Sequence, residues 1–408
     1  MNVNPTGAGF SGERLERIST HLQNRYIKPG KIAGAQVMVS RRGVPAYFRS
    51  FGEMDAERGK PVEADTIFRI YSMTKPITSV ALMMLFEEGH FQLSDPVSRF
   101  IPAWAKHEVW VEGSGEAMVT REVENKMTMK DVLCHTSGLT YGGLLWQVDL
   151  HPVDQVYEKL DVSRGPGETS QSFIEKLAKV PLRYEPGTRW MYSLATDVCG
   201  CLVEIISGQS FPEFLRARLF GRLGMVDTGF AVPDDKLHRF AANYERKRDK
   251  TLRLIDDPAT SKYREEPSFP SGGGGLVSTT ADYARFCEML RRGGELDGVR
   301  ILGDRTLRLM YMNHLPGEAE LASVAMEGFT ETAYEGIGFG LGFASTIDQI
   351  AASNISGGDY YWGGAASTIF WIDPVEDLFV IFMTQLMPSA TFNFRGQLKN
   401  IIYSAIEA

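Results

Sequence analysis

Strand-like sequence lies near both ends of this 408-residue chain, and helix-like sequence fills the middle. The segment AGAQVMVSRRGVPAYFRSFG predicts two strands joined at Arg42-Gly43. Near the other end, GIGFGLGFAST, STIFWIDP and LFVIFMTQ predict further strands, and FRGQLKNIIYSAIEA predicts a closing helix. One shared sheet is the natural way for strands from the two ends to bury their apolar faces together. We therefore expect an α/β fold of the α+β type, with a sheet built from both termini.

The middle of the chain predicts an inserted helical region. MTMKDVLCHTSGL predicts a short helix that Thr128 caps, with Asp131 completing a capping box and Gly138 ending the helix. A helix from Gln171 to Lys179 and a buried helix ending at Gly208 should follow. We expect a discontinuous α/β domain (1–85 and 265–408), a mostly helical domain (86–264), and an active site in the cleft between them.

Charge and cysteine usage exclude several classes of function. The net charge of -8 and the pI near 5.5 disfavour a nucleic-acid partner. Four cysteines in a chain of this length do not form a disulfide framework. The N-terminus has no apolar signal-peptide core, and no apolar run is long enough to span a membrane. We expect a cytoplasmic protein with no membrane partner, and the sequence does not predict its oligomeric state.

One apolar stretch carries a lysine in an unusual place. FRIYSMTKPITSVALMMLFEEGH (68–90) has Lys75 three residues after Ser72. If a helix begins near Ser72, the two side chains share one face at a helix N-terminus. The helix dipole and burial both disfavour the ammonium, so we expect a lowered pKa for Lys75. A neutral amine beside a serine is a general base beside a nucleophile. The backbone N–H of Ser72 could serve as one oxyanion donor.

A structural alternative for these two residues stays open at this point. Ser72 could simply cap the helix, with the Lys75 side chain reaching to water. Two observations favour the catalytic hypothesis. This is the only Ser-x-x-Lys in the chain, and it stands at the head of an apolar helix, which is the context that the mechanism requires.

Two further segments could complete such a site. EPGTRWMYSLATD offers Tyr192, and a tyrosine near a lysine can act as a base because the cation lowers the phenol pKa. In YYWGGAASTIFWIDP, Trp362-Gly363-Gly364 begins a strand. Glycine inside a strand often marks the close approach of a backbone or a ligand, so the N–H of Ala365 could face a substrate carbonyl. Alone, Tyr192 would be a core residue and the glycines a bulge.

These three elements, in this order, resemble the serine β-lactamase and penicillin-binding superfamily. The resemblance spans nearly the whole chain and includes LCHTSGL, EPGTRWMYS, GGGGLVSTTADYARF, GIGFGLGF and WGGAASTIFWIDP. The pattern is most similar to that of the family VIII carboxylesterases, which are similar to class C β-lactamases but act on esters. The resemblance implies Ser72 as nucleophile, Lys75 and Tyr192 as the acid/base pair, and the N–H groups of Ser72 and Ala365 as the oxyanion hole. It also implies a β-lactamase-like fold, an antiparallel sheet flanked by helices.

The sequence departs from the class C β-lactamase pattern at two places. Leu194 stands where those enzymes have an asparagine that binds the substrate amide, and Trp362-Gly363-Gly364 replaces Lys-Thr-Gly. An anionic amide substrate would lose both anchors, which favours neutral, apolar acyl esters. We expect Trp362 to form a wall of the substrate site, although an aromatic packed on the sheet edge is an open alternative. Gly363, Gly364 and Leu194 should also line the site.

Other chemical candidates are weaker. His135 is expected to be scaffold, because the chain has no Gly-x-Ser-x-Gly elbow for a Ser-His arrangement. SGGGGLVSTTAD lacks the Lys-Ser/Thr ending of a phosphate loop and predicts a flexible turn before a helix capped near Thr279, although Gly273 or Gly274 could line the site. Asp197 and Glu185 are expected to be structural. No motif suggests a metal or cofactor, so we expect neither.

The aromatic loop TYGGLLWQ could overhang the site through Tyr141 and Trp146, or it could form a dimer contact. From all of these features we predict a serine carboxylesterase (EC 3.1.1) that hydrolyses small-molecule, short-chain esters through an acyl-enzyme. Three alternatives stay open: a β-lactamase or D-amino-acid peptidase, an acyltransferase on the same fold, and a catalytically inactive binding protein.

Overall fold

The computed structural model describes residues 2–145, 150–162, 167–326 and 332–407. Its strands, in chain order, are β1 Gly34–Arg41, β2 Val44–Asp55, β3 Lys60–Pro61, β4 Ile67–Arg69, β5 Glu108–Glu112, β6 Val119–Glu122, β7 Asn243–Arg246, β8 Leu252–Asp256, β9 Val277–Thr279, β10 Glu295–Leu296, β11 Val299–Arg300, β12 Ile337–Phe339, β13 Ala344–Thr346, β14 Tyr360–Gly363, β15 Ile369–Asp373, β16 Leu378–Thr384 and β17 Leu386–Met387.

The α-helices are α1 Gly12–Leu15, α2 Arg17–Leu22, α3 Thr74–Glu87, α4 Met129–Leu133, α5 Pro152–Lys159, α6 Ser170–Leu177, α7 Ala195–Ser207, α8 Phe211–Leu215, α9 Gly221–Leu223, α10 Thr280–Arg291, α11 Asp304–Tyr311, α12 Leu321–Val324 and α13 Phe394–Tyr403. One turn of π-helix continues α2, over Gln23–Ile27, and another joins α8 to α9, over Arg216–Phe220. None of the helices in the described ranges is long and apolar enough to cross a membrane.

The two ends of the chain meet in one antiparallel sheet. Its strand order is β12-β13-β14-β15-β16-β1-β2-β3, so N-terminal β1 pairs directly with C-terminal β16. Every residue of β1 and of β16 is buried, which is expected of central strands covered on both faces. Arg42 (φ +56°) and Gly43 (φ +76°) form the tight turn between β1 and β2, where a two-residue hairpin requires both to be left-handed. The predicted fold class and shared sheet are confirmed.

Helices cover this sheet and carry the middle of the chain. Helix α10 packs on β1, β15 and β16, and α3 packs against α7. Helix α3 is buried almost all round, from Thr74 to Leu85, so it runs through the interior. The domain boundaries at 85/86 and 264/265 stay predictions.

Local capping signals predicted some helix ends correctly and one wrongly. The capping box of Thr128 and Asp131 begins α4, and left-handed Gly208 (φ +70°) ends α7, as predicted. The predicted end of α4 at Gly138 is wrong, because the helix stops at Leu133. His135 turns left-handed (φ +59°), and its carbonyl accepts hydrogen bonds from Met191 N–H and the Tyr184 hydroxyl. These tertiary bonds replace the next helical turn.

Candidate active site

A strained turn presents Ser72 at the entrance to α3. The residue lies in a single 3₁₀ turn, Tyr71–Met73, and Tyr71 has a positive φ of +41°. Such a backbone conformation costs a bulky residue roughly 1–3 kcal/mol, so its surroundings must hold it in place. Gln385 exchanges two hydrogen bonds with the Arg69 backbone (3.1 and 3.0 Å), and Asn243 donates to the Tyr71 hydroxyl at 3.0 Å. Both contacts anchor the residues that lead into Ser72.

Lys75 lies one helical turn after Ser72, as the spacing predicts. Its Nζ is 3.2 Å from Ser72 Oγ and 2.5 Å from the carbonyl oxygen of Gly273. Only 1% of the Lys75 surface is exposed, and Ser72 keeps 8%. The lysine does not reach to water, which removes the structural alternative in which it lies along the helix surface. The amine and the hydroxyl are within proton-transfer distance.

Tyr192 closes the site from the start of α7. The Lys75 Nζ lies 4.6 Å from the centroid of the Tyr192 ring. The Tyr192 oxygen accepts a hydrogen bond from the indole Nε1–H of Trp362 at 3.1 Å. An indole nitrogen can only donate, so this contact favours negative charge on the phenol oxygen. Lysine, tyrosine and tryptophan therefore form one connected group beside Ser72.

Trp362 lies in the interior beside Tyr192. The residue is fully buried, and its ring packs edge-on against Tyr192 and Phe339. A wall of the substrate site would keep some surface exposed, so the substrate contact stays a prediction. The geometry instead gives Trp362 a contact with a predicted acid/base residue.

The end of β14 touches the nucleophile turn. A Cβ on Gly364 would lie 2.4 Å from the carbonyl oxygen of Ile70, so only glycine allows this approach. Ala365 follows directly. Among the described residues, no backbone carbonyl accepts a hydrogen bond from Ser72 N–H or Ala365 N–H. The assignment of these two N–H groups to an oxyanion hole stays a prediction.

The remaining predicted lining residues lie at different distances from this centre. The Tyr141 ring centroid is 5.4 Å from Lys75 Nζ, and the ring packs edge-on against Tyr192. Leu194 is buried at the N-cap of α7, and its N–H donates to Thr140 O. A Cβ on Gly363 would lie 3.1 Å from Arg395 Nη2. Trp146 falls outside the described residues.

His135 supports the site without touching Ser72. Its ring nitrogens lie 3.1 Å from Ser193 Oγ and 3.4 Å from Thr196 Oγ1. Burial, and secondarily the positive charge of Lys75, hold the pKa of His135 well below its ordinary value. The ring is therefore neutral and packs edge-on against Tyr192. This placement agrees with a scaffold role.

Two contacts in the site were not predicted from the sequence. The glycine run approaches Lys75 through the Gly273 carbonyl, and Asp197 binds that run through its carboxylate. Asp197 was expected to be structural, because nothing in its own neighbourhood of the sequence links it to Lys75. The signal was the coincidence of four consecutive glycines with a buried acidic residue.

The described residues form no metal-binding site. They hold no group of three or more His, Cys, Asp or Glu side chains that could bind a metal ion. All four cysteines are buried free thiols.

Comparison with known proteins agrees with this geometry. The β-lactamase family model matches residues 21–401. The chain belongs to the β-lactamase family. Protein Rv1367c of Mycobacterium tuberculosis is 35% identical over 363 residues, which cover 88% of this chain and 87% of that protein. Esterase EstB of Burkholderia gladioli is 30% identical over 404 residues, covering 94% of this chain and 93% of its own.

A solved structure extends the comparison to three dimensions. EstCE1, described as a hydrolase with promiscuous acyltransferase activity, superposes with a TM-score of 0.80 at 25% identity, covering 96% of this chain and 99% of its own. Within the β-lactamase family, the chain is thus a family VIII esterase-like member, and this family resemblance is confirmed. Its coarse class is a serine hydrolase or acyl transferase of the β-lactamase fold.

Proposed function

We propose that this protein is a serine carboxylesterase that hydrolyses short-chain carboxylic esters through an acyl-enzyme. The observation that carries the proposal is the buried Lys75 amine, 3.2 Å from Ser72 Oγ, beside a tyrosine whose oxygen accepts the Trp362 N–H. A buried amine can serve as a base near neutral pH, and a serine hydroxyl within its reach becomes a nucleophile. The esterase relative EstB, similar over nearly the whole chain, supports the same chemistry.

Acylation starts when Ser72 Oγ attacks the ester carbonyl. The hydroxyl proton passes to the Lys75–Tyr192 pair, and the carbonyl oxygen becomes an oxyanion that accepts hydrogen bonds from Ser72 N–H and Ala365 N–H. The tetrahedral intermediate then collapses. The bond to the alcohol oxygen breaks, and the pair returns its proton to that oxygen, so the alcohol leaves neutral and Ser72 is acylated.

Deacylation uses the same groups in reverse order. Water takes the place of the alcohol, gives its proton to the Lys75–Tyr192 pair and attacks the acyl carbon. The second intermediate breaks its bond to Ser72 Oγ, which regains the proton. The acid is released, and no cofactor takes part in the cycle.

The electrostatics of the site support a neutral substrate. Trp362 stands at the position where class C β-lactamases have a lysine. Its side chain is neutral, and its N–H already donates a hydrogen bond to Tyr192. Where they carry an asparagine, Leu194 has no amide. A β-lactam carboxylate and its amide side chain would therefore lack these two anchors, whereas a short ester needs neither.

A side-by-side rate comparison tests this proposal. Purified protein is given p-nitrophenyl acetate, butyrate and octanoate and, separately, a chromogenic cephalosporin, with Ser72→Ala as the control in each assay. We expect ester turnover that depends on Ser72 and slow or absent cephalosporin cleavage. Faster cephalosporin turnover would overturn the ester assignment in favour of a β-lactamase.

Acyl transfer is a second candidate, because EstCE1 combines hydrolysis with acyltransferase activity. The two reactions differ only in whether water or another alcohol removes the acyl group from Ser72. The products of p-nitrophenyl butyrate turnover in the presence of 1-hexanol distinguish them. Butyrate as the main product supports hydrolysis, whereas hexyl butyrate as the main product supports acyl transfer.

A further inference from the structure

The glycine run 272–275 is packed between two helices. A Cβ on Gly272 would lie 2.7 Å from the Thr196 carbonyl oxygen and 3.0 Å from Thr78 Cγ2. A Cβ on Gly273 would lie 2.4 Å from Asp197 Oδ2. The segment is therefore not the flexible turn that its composition suggests. It is glycine because its backbone has to touch α3 on one side and α7 on the other.

Two side chains fix one peptide group of this run at both ends. Thr78 Oγ1, on α3, donates a hydrogen bond to the Gly272 carbonyl oxygen at 2.7 Å. The Gly273 N–H of the same peptide donates to Asp197 Oδ1 at 3.0 Å, and Ser271 Oγ donates to that oxygen at 2.5 Å. The peptide plane cannot rotate without breaking a buried hydrogen bond.

The next carbonyl along the chain reaches the amine of the site. Gly273 O accepts a hydrogen bond from Lys75 Nζ at 2.5 Å, while Ser72 Oγ lies 3.2 Å from the same nitrogen. A neutral amine has one lone pair and two N–H groups. When one N–H points to Gly273 O, the lone pair is free to accept the Ser72 proton. The direction of the Gly273 carbonyl thus sets the direction of the base.

We propose that Asp197 is a positioning residue for Lys75, acting through the Gly273 backbone, and that its carboxylate stabilises the ammonium formed when Lys75 takes the Ser72 proton. This inference rests on the proposed function and deepens it. Asp197 is 3% exposed and belongs to α7, the helix that follows Tyr192. One carboxylate therefore couples the helix after Tyr192 to the helix of Lys75.

The charges around Asp197 and Lys75 are consistent with this role. Burial raises the pKa of Asp197, and the positive charge of Lys75 and the hydrogen bonds from Ser271 and Gly273 oppose that shift. The other titratable groups described around the pair are Tyr141, Tyr192, His135, Cys199 and Cys201. Asp197 is thus a buried carboxyl group that interacts electrostatically with Lys75.

Three variants test the inference. Asp197→Asn keeps an acceptor for Gly273 N–H but removes the charge, Asp197→Ala removes both, and Thr78→Val frees the other end of the peptide. Asp282→Asn is the matched control, because this buried carboxylate also accepts a backbone N–H (Asp227, 2.7 Å) and a hydroxyl (Thr228, 2.8 Å) on another helix. The readouts are kcat, KM and the pH profile for p-nitrophenyl butyrate, and the rate at which a fluorophosphonate labels Ser72.

We expect Asp197→Ala to lower kcat and the labelling rate about 10²-fold with KM nearly unchanged, because the base is misplaced. Thr78→Val should lower both about tenfold. In Asp197→Asn the acid limb of kcat/KM should move to lower pH by about one unit, because the lost anion no longer favours the ammonium. Asp282→Asn should leave the rates and the acid limb unchanged.

Wild-type labelling rates in Asp197→Ala together with an unmoved acid limb in Asp197→Asn would overturn the inference. Equal losses in Asp282→Asn would also overturn it, because they would trace the effect to general destabilisation. If Asp197→Ala does not fold, the Asn and Val variants decide alone. Wild-type protein that is labelled on Ser72 but turns over no ester would refute the esterase proposal, while the labelling rates would still test Asp197.

Discussion

Two lysines are buried among the residues that the structure describes, and their surroundings differ. Lys75 is 1% exposed and Lys399 is 5% exposed. Lys399, on α13, forms an ion pair with buried Asp359, and the Tyr361 and Trp371 rings cover it. The described hydrogen-bond partners of Lys75 are instead a hydroxyl and a peptide carbonyl, Ser72 Oγ and Gly273 O. Asp197 stands on the far side of the glycine run.

The difference separates a charge that holds the fold from an amine that can change its charge. Burial lowers the pKa of Lys399, and the adjacent Asp359 carboxylate opposes that shift and favours the ammonium. The described hydrogen-bond contacts of Lys75, unlike those of Lys399, are with neutral oxygens, and such contacts favour the ammonium less than a carboxylate does. The same side-chain type therefore joins α13 to the sheet at Lys399 and is a candidate base at Lys75.

Replacing Lys75 should produce the largest effect on turnover. Lys75→Met removes the base while filling a similar volume, so we expect kcat for p-nitrophenyl butyrate to fall about 10⁴-fold. The urea midpoint should stay the same or rise, because a buried amine is exchanged for an apolar chain. Unfolding of this variant, or turnover close to wild type, would remove the distinction between the two lysines.

Replacing Lys399 should produce the opposite pattern. Lys399→Met leaves the Asp359 carboxylate buried without its ion-pair partner, so we expect the free energy of unfolding to drop by about 3–5 kcal/mol. Turnover per folded molecule should remain near wild type. The double variant Asp359→Asn with Lys399→Met should recover part of the loss, which a double-mutant cycle in urea measures. No recovery would contradict the ion pair as the reason for its burial.

A substitution of Trp362 tests whether its hydrogen bond to Tyr192 contributes to catalysis. Trp362→Phe removes the N–H that donates to Tyr192 but keeps an aromatic ring, so we expect kcat to fall about tenfold with little change in KM. A tenfold loss corresponds to about 1.4 kcal/mol. If KM for octanoate rises while kcat is kept, Trp362 acts as a wall of the substrate site, as the sequence suggested.

His135 offers the smallest effect, on stability below neutral pH. Its pKa is lowered by burial, so the unfolded chain binds a proton that the native ring refuses, and stability falls as pH drops below about 6.5. Each such histidine contributes at most about 1.4 kcal/mol per pH unit. The pKa values of His21, His107, His151 and His314 are lowered in the same direction. Urea unfolding at pH 7.5 and 5.5 measures the sum. A higher midpoint at pH 5.5 would contradict the neutral, buried rings.

The features of this fold that depend on neighbouring residues were predictable from the sequence. The hairpin at Arg42-Gly43, the capping box of Thr128 and the left-handed Gly208 follow from neighbouring residues and were predicted. The Ser72–Lys75 contact spans one helical turn, so it was predictable too. The early end of α4 was not, because the bonds that replace its last turn come from Tyr184 and Met191.

The rest of the site depends on contacts between distant segments. Gly273 O and Lys75 Nζ are 198 positions apart, and the Trp362–Tyr192 pair is 170 apart. Spacing cannot predict that a carbonyl or an indole N–H arrives at a given side chain across such a separation. The four consecutive glycines were predicted to form a flexible turn, and only the structure shows that their backbone packs against two helices.

The most direct test of the central claim is the mass of the protein during turnover of p-nitrophenyl butyrate. Rapid acid quenching followed by peptide mapping locates any acyl group. The account predicts one butyryl group on Ser72 in the wild type, and no adduct in Ser72→Ala or, at equal times, in Lys75→Met. Steady ester turnover with a butyryl group on another residue, or turnover that survives Ser72→Ala, would contradict it.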